Sequence, residues 1–221
     1  MTRHQSSAGA KNHRALIIAN GVLPLPHVLR RFLSSPDMII CADGGANSAR
    51  KLRIVPHIIL GDFDSITPST RKYFRKIPQL YYADQESTDL EKALHFCVQC
   101  RITSADIVGA SGTRIDHTLG ALGCFRKYGS QIDLRLIDSS GVLQLVRRNM
   151  RLQTHPGETI SLIPLDRCRG ITTSHLKFAL DNDDLETGVR NGISNEATAS
   201  NVTIRVKSGT LLLYRFHRRE G

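Results

Sequence analysis

Tryptophan is absent from this 221-residue chain, so any aromatic face for a ligand comes from seven phenylalanines and five tyrosines. Cysteine is scarce and unpatterned, at Cys41, Cys97, Cys100, Cys124 and Cys168. The one CxxC, Cys97-Val98-Gln99-Cys100, falls at the end of an expected helix, with no second CxxC or HxxxH to complete a zinc site. A thioredoxin-type pair would open a helix rather than close one. The five thiols therefore read as reduced cysteines of a cytoplasmic protein. No apolar run approaches the roughly 20 residues of a membrane span. The first 14 residues, MTRHQSSAGAKNHR, lack the apolar stretch of a secretory signal and read as a disordered lead-in, with a weak targeting segment as the alternative. No GxxxxGK[ST] loop occurs, which excludes a P-loop kinase. No GxSxG elbow occurs either, which weakens a serine-hydrolase reading. There is no internal repeat and no low-complexity stretch.

Acidic residues are outnumbered, 20 against 30 lysines and arginines, giving a formal charge of +10. The basic residues are dispersed, with local clusters only at Arg147-Arg148 and from Arg215 to Arg219, and no RNA-reading motif interleaves them with aromatics. Neither nucleic acid nor membrane is expected as a partner. The charge favours solubility and attraction of a polyanionic substrate such as a nucleotide.

What is present is an alternation of apolar strands and amphipathic helices over the first two-thirds. Strands are expected at Ala15–Ala19, Met38–Ala42, His57–Leu60, Leu80–Tyr82, Asp106–Val108 and Asp133–Ile137. Helices are expected near Pro26–Leu33, Ala46–Lys51, Pro68–Arg75, Thr88–Cys100 and Thr113–Tyr128. This predicts an α/β domain over 15–146 with a mostly parallel sheet flanked by helices. After Val146 the strands shorten and turn signals multiply. Thr159–Ile163, Ile171–Thr173, Ala197–Ala199, Val202–Val206 and Leu211–Tyr214 read as strands of a small all-β sandwich or barrel over 147–221. Its last two strands are expected to form a hairpin around Lys207-Ser208-Gly209.

Carboxylates gather where those strands should end. Ile58-Ile59-Leu60 empties into Gly61, then Asp62 and Asp64, one residue apart. In an extended segment alternate residues point the same way, so this pair favours metal or phosphate chemistry over a simple helix cap. Asp89 opens a helix within the capping box Thr88–Glu91, so it reads equally as a dipole-stabilised first-turn acid. Lys92, one turn on, either neutralises Asp89 or reaches a phosphate. Thr113 and Asp116 have the same capping spacing. Ser111-Gly112-Thr113 before them presents backbone N–H groups suited to an anion, and Arg114 adds a fork suited to phosphate. His117 is a base or, more commonly, a structural helix-face histidine. Asp43-Gly44-Gly45-Ala46-Asn47 permits close approach of a ligand to backbone, or is an ordinary tight turn. If the strands are parallel, the segments His57–Thr67, Ser87–Lys92 and Gly109–His117 share the carboxyl edge where α/β sheets bind ligands. Clustered carboxylates there repel one another unless a cation sits between them, and oxygen-only ligands favour Mg²⁺.

Taken together these segments resemble the thiamin pyrophosphokinase family. The likeness runs through Cys41–Asn47, Gly61-Asp62-Phe63-Asp64-Ser65, Asp84–Asp89 and Arg114-Ile115-Asp116-His117. It continues in Leu176-Lys177-Phe178 and Gly192-Ile193-Ser194-Asn195-Glu196, in family order over roughly residues 15–215. The resemblance implies transfer of the pyrophosphoryl group of ATP to the hydroxyl of thiamin, giving thiamin diphosphate and AMP. It implies an ATP- and Mg²⁺-binding catalytic domain, a thiamin-binding and dimerisation domain, and a homodimer with active sites between subunits. By motif, Asp62, Asp64, Asp89 and Asp116 become metal ligands and, with Arg114, the catalytic set. Asp43, Gly44, Gly45, Asn47, Lys92, Ser111, Gly112 and Arg114 fall on the ATP side. Gln85, Phe178, Ser194 and Asn195 fall on the thiamin side. The chain departs from the family at three places: Phe178 stands where tryptophan is common, Gly112-Thr113 where a Gly-Gly pair is common, and Ala121 where asparagine is frequent. Rival readings are a diphosphokinase for another heterocyclic alcohol such as a pterin, a haloacid-dehalogenase-type phosphatase, and a nucleotide-sensing or RNA-binding module. The phosphatase reading needs paired acids after a later strand, and Asp183-Asp184 lies in the β-rich part.

Overall fold

The computed structural model describes residues 13–34, 36–112 and 114–218. The expected lead-in lies outside the described residues up to residue 12, and Arg14 already belongs to the first strand. Residues 14–137 form β1 (Arg14–Ile18), α1 (Pro26–Leu33), β2 (Met38–Ala42), α2 (Gly45–Lys51), β3 (Ile58–Gly61), α3 (Pro68–Tyr73), β4 (Gln79–Tyr81), α4 (Asp89–Gln99), β5 (Ser104–Val108), α5 (Ile115–Tyr128) and β6 (Asp133–Ile137). The six strands are parallel in the order β6-β5-β1-β2-β3-β4. Strand β1 shows why its run is almost wholly apolar. Ala15 and Ile17 pack with Leu94, Cys97 and Phe125 of α4 and α5, whereas Leu16 and Ile18 pack with Leu29, Ala46 and Ala49 of α1 and α2. Alternate side chains enter opposite cores, so both faces demand apolar residues.

Residues 141–216 supply β7 (Gly141–Leu145), β8 (Asn149–Gln153), β9 (Thr159–Pro164), β10 (Cys168–Ser174), β11 (Asp183–Leu185), β12 (Gly192–Glu196), β13 (Asn201–Arg205) and β14 (Leu211–Phe216). Four of them extend the parallel sheet with antiparallel strands, β7 against β6, then β14, β9 and β12, giving ten strands in one ladder. The other four form a separate sheet, β11-β10-β13-β8. Ile160, Leu162, Leu211 and Leu213 of the large sheet share a core with Leu152, Ile171, Val202 and Ile204 of the small one, which makes a sandwich.

Two expectations are corrected. The last two strands are not a hairpin: β13 pairs with β8 and β10 in the small sheet, while β14 pairs with β7 and β9 in the large one. The chain at residues 206–210 crosses the sandwich instead of folding back. The expected strand at Ala197–Ala199 is reduced to one bridge between Ala197 and Leu176, and the pairing strand is β12 just before it.

Candidate active site

The carboxyl ends of β1, β2, β3 and β5 open onto a cavity of about 390 Å³, lined also by residues 85–90 and Lys92 leading into α4 and by Arg114, His117 and Ala121 at α5. Asn20 and Gly21 enter it after β1, Asp62 and Ser65 after β3, and Gly109 to Ser111 after β5. Asn20, Gly21 and Ser65 were not expected there. Their signal was positional, since Asn20-Gly21 directly follows an apolar strand as Gly61-Asp62 does.

Carboxylate oxygens of Asp43, Asp62 and Asp64 lie within 4.8 Å of one another. Asp43 follows β2 with φ 39° and is 1% exposed. Its oxygens accept the N–H groups of Ser65 (2.8 Å) and Ile66 (3.3 Å), so it gathers the turn after β3. Burial pushes its carboxyl above the ordinary value; the Ser65 N–H opposes this and the nearby Asp89 charge adds to it. Asp62 accepts the Asp64 N–H at 3.3 Å and Nζ of Lys92 at 3.4 Å. Partial burial works against ionisation of Asp62, but that N–H and the Lys92 ammonium outweigh it and hold the carboxyl low. Asp64 accepts the Ser65 hydroxyl at 2.7 Å.

The convergence of Asp62 and Asp64 does not come from strand alternation, as the one-residue spacing suggested. Phe63 between them has φ 64°, a left-handed residue that bends the chain. Gly61 makes the second contribution. With φ 146°, a Cβ there would stand 2.8 Å from Asp43 Cβ and 3.0 Å from Asp89 Oδ1. Only glycine lets these acids approach across the strand ends.

Asp89 satisfies both of its readings. It is the first residue of α4, behind a complete Thr88–Glu91 capping box, and it faces the cavity. Burial raises its carboxyl, Lys92 pulls it back, and Asp62 and Asp64 push it up further. Lys92 is 4% exposed, with Nζ 3.2 Å from Asp89 and 3.4 Å from Asp62. Its burial would release the proton, but those two acids hold it on.

Other expected residues are placed differently. Asp116 is not among the three grouped carboxylates. It is exposed on α5 and pairs with Arg114, whose Nε donates at 3.1 Å, and this guanidinium holds its carboxyl down at about 2. The N-cap of α5 is Arg114, which makes Asp116 the second helical residue rather than the third; Thr113 lies outside the described residues. Arg114, His117 and Ser111 line the cavity. Gly112 (φ 131°) instead backs onto Val22, 2.5 Å from where its Cβ would be. Gly44 and Gly45 are packed against Asn20 and the Ile18 carbonyl, as a tight turn requires. Asn47 braces the turn after β3, donating to the Ser65 carbonyl at 2.9 Å and accepting the Thr67 N–H at 3.0 Å.

On the thiamin side, Gln85 lines the cavity and reaches Asp62 at 3.4 Å. Phe178, Ser194 and Asn195 do not line it. Asn195 is buried, and its amide accepts the Phe178 N–H (3.0 Å) and donates to the Phe178 carbonyl (2.7 Å). Phe178 itself is 66% exposed. Ser194, at φ 57°, donates its N–H to Ser161 Oγ at 3.0 Å.

Residues 29–136 match the family model for the catalytic domain of thiamin pyrophosphokinase, and residues 146–211 match the model for its vitamin B1 binding domain. The chain is 29% identical to the thiamine pyrophosphokinase of Bacillus subtilis over 214 residues, covering 90% of this chain and 96% of that one. It is 29% identical to thiamin pyrophosphokinase 1 of Caenorhabditis elegans over 195 residues, 78% of this chain and 76% of that protein. The crystal structure of the Bacillus subtilis enzyme superposes with a TM-score of 0.82 at 27% identity, covering 93% of this chain and 100% of that one. The yeast enzyme shares the fold, with a TM-score of 0.80 at 17% identity over 95% of this chain and 88% of that one. With both domain models matched in order, and relatives aligned over nearly its whole length, this chain belongs to the thiamin pyrophosphokinase family.

Proposed function

We propose that this protein is a thiamin diphosphokinase, transferring the pyrophosphoryl group of ATP to the hydroxyl of thiamin to give thiamin diphosphate and AMP. The observation that carries this reading is the grouping of Asp43, Asp62 and Asp64, of which Asp62 lines the cavity at the carboxyl edge of the sheet together with buried Lys92. Residues 15–146 form the ATP-binding catalytic part and residues 147–221 the thiamin-binding and dimerising part.

The donor set fits Mg²⁺: the grouped atoms are all carboxylate oxygens, within one ion's reach of each other. Asp43, Asp62 and Asp64 would hold it, with Asp89 the nearby fourth acid. When bound, Mg²⁺ neutralises phosphate charge and orients the group to be transferred. Asp43 therefore moves from the nucleotide side to the metal side. Asp116 acts through its pair with Arg114, aiming that guanidinium at the cavity. Lys92 and Arg114 supply fixed positive charge for the phosphates of ATP. The thiamin hydroxyl oxygen attacks the β-phosphorus in line, the bond from that phosphorus to the α,β-bridging oxygen breaks, AMP leaves with that oxygen, and the hydroxyl proton passes to a carboxylate of the site. Positioning and electrostatics carry such a transfer, so no strong base is required.

Phe178, exposed, and Ser194 do not line the cavity, which supports a homodimer in which a second copy brings its thiamin face to this site. No described helix is long and apolar enough to cross a membrane. The five unpaired cysteines fit a reducing, cytoplasmic setting. AMP formation from ATP and Mg²⁺, measured with and without thiamin, tests the proposal. Thiamin-dependent AMP with an equal amount of thiamin diphosphate is expected. ADP or free phosphate as the product, or turnover only with another alcohol such as a pterin, overturns it.

A further inference from the structure

Phe63 stands between the two acids of the turn after β3, and its φ of 64° is a conformation that a bulky residue holds only when its surroundings enforce it. Those surroundings are specific. The guanidinium carbon of Arg71, from α3, lies 4.8 Å from the centre of the Phe63 ring. On β4 the Tyr81 ring lies 6.0 Å from it, tilted by 44°. Arg71 is itself oriented, because its Nε donates to Gln79 Oε1 at 3.1 Å. Gln79 and Tyr81 are two residues apart on one strand and so share a face. That strand is registered against the site, Tyr81 opposite Gly61, the residue just before Asp62. Arg71, Phe63, Gln79 and Tyr81 are all absent from the cavity lining.

We infer that Arg71, together with Tyr81, is a positioning residue: by gripping the Phe63 ring it holds the left-handed turn that sets the spacing of Asp62 and Asp64, and thereby the affinity for a divalent cation. This inference rests on the metal reading of those carboxylates. A cation over an aromatic face attracts the ring quadrupole, and the Gln79 bond keeps the guanidinium in place over it. Released from the grip, Phe63 relaxes toward ordinary negative φ. That rotation carries Asp64 away from Asp62 without touching any group that contacts substrate. A second cation–ring pair provides the internal comparison. Arg50 sits 5.2 Å from the Tyr73 ring and donates to Ser69 Oγ at 2.9 Å, bearing on the same helix as Arg71 but, among the described residues, with no hydrogen bond, ion pair or ring contact to Asp62, Phe63 or Asp64.

The test is Mn²⁺ binding to the full-length protein without nucleotide, followed by the electron paramagnetic resonance of free Mn²⁺, with Mg²⁺-dependent turnover alongside. Arg71→Met is expected to weaken Mn²⁺ binding by roughly three- to tenfold. It should raise the Mg²⁺ concentration for half-maximal turnover by a similar factor, with kcat at saturating Mg²⁺ near wild type. Arg71→Lys, which keeps a cation over the ring, should recover part of the loss, and Arg50→Met should bind Mn²⁺ as wild type does. Wild-type Mn²⁺ binding by Arg71→Met overturns the inference, whatever happens to its melting temperature. If Arg71→Met does not fold, Arg71→Lys and Tyr81→Leu carry the same measurement, and unchanged binding in both overturns it. If wild type and Asp64→Asn bind Mn²⁺ alike, the metal reading itself falls, and the clamp falls with it.

Discussion

The turn at Asp62–Ser65 and the corner formed by Phe178 and Asn195 are built by the same device and end up facing different things. In each, a buried polar side chain gathers backbone groups: Asp43 takes the N–H groups of Ser65 and Ile66, and Asn195 takes both the N–H and the carbonyl of Phe178. The first turn places Asp62 in the lining of a cavity walled by the same chain, with Asp43 and Asp64 grouped beside it. The second displays an aromatic ring to solvent, with Val189 and Ile193 also exposed in the same part of the chain. The Phe178 ring has the Lys177 ammonium 6.0 Å from its centre and leaves the rest of its face to solvent. In the proposed homodimer, the phosphate half of the reaction would be assembled within one chain and the thiamin half completed by the second copy.

The largest effect should come from breaking the first turn. Asp64→Asn keeps the shape and removes the charge; we expect a loss in kcat of about a hundredfold or more, with an unchanged circular dichroism spectrum. Near-normal turnover would remove Asp64 from the chemistry. Breaking the second corner should separate the two substrates. Asn195→Ala leaves the Phe178 N–H without its buried acceptor and should destabilise the protein by about 1–3 kcal/mol. It should also raise KM for thiamin while leaving KM for ATP in place; a rise in both would mean the corner serves the whole site. Phe178→Ala removes only the face, and KM for thiamin should rise by roughly three- to tenfold. Phe178→Trp, with its larger ring, should lower it, and an unchanged KM in both variants would show that thiamin binds elsewhere.

The smallest effect sharpens the frame around the cavity. Burial resists ionisation of Glu91, but the Lys127 ammonium and the Thr88 N–H prevail and hold its carboxyl below the ordinary 4.5. A depressed folded value means the stabilisation is complete above the unfolded value and is lost as pH falls through the folded one. In urea denaturation the wild-type advantage over Glu91→Gln should be full at neutral pH and should shrink below about pH 4.5. A constant difference across that range would show that the cap does not depend on the charge. Thr88→Ala should cost about 1 kcal/mol by the same assay.

How much of this was legible depends on what each residue's partner is. Strands β2 and β6 and helix α1 sit at the residues their patterns mark, because burial on two faces, or along one stripe, is written locally. Strand β11 was missed because Asp183-Asp184-Leu185 carries a single apolar residue. The misread hairpin has a sharper cause. Val202, Ile204, Leu211 and Leu213 all enter one core, and alternation gives the same signal whether two strands pair edge to edge or face each other across a sandwich. The site divides in the same way. Asp62 and Asp64 were legible from spacing, although through the wrong geometry. Asp43 joins them only because β2 and β3 lie side by side and Gly61 leaves room, a neighbourhood that local sequence does not record. Asp116 has after Thr113 the capping spacing that Glu91 has after Thr88, but it pairs with Arg114.

The ten-stranded ladder also has a consequence for taking the protein apart. The catalytic and vitamin-binding segments look like separable modules along the chain, yet β7 is shared property: it pairs with β6 on one side and with β14, from the far end of the chain, on the other. A fragment ending at residue 146 would expose β7 as a naked apolar margin, and the remainder would expose β14 in the same way. Both are ready templates for edge-to-edge association. Cut there, the two pieces should be found either precipitated or stitched back together, and neither should behave as a solitary monomer.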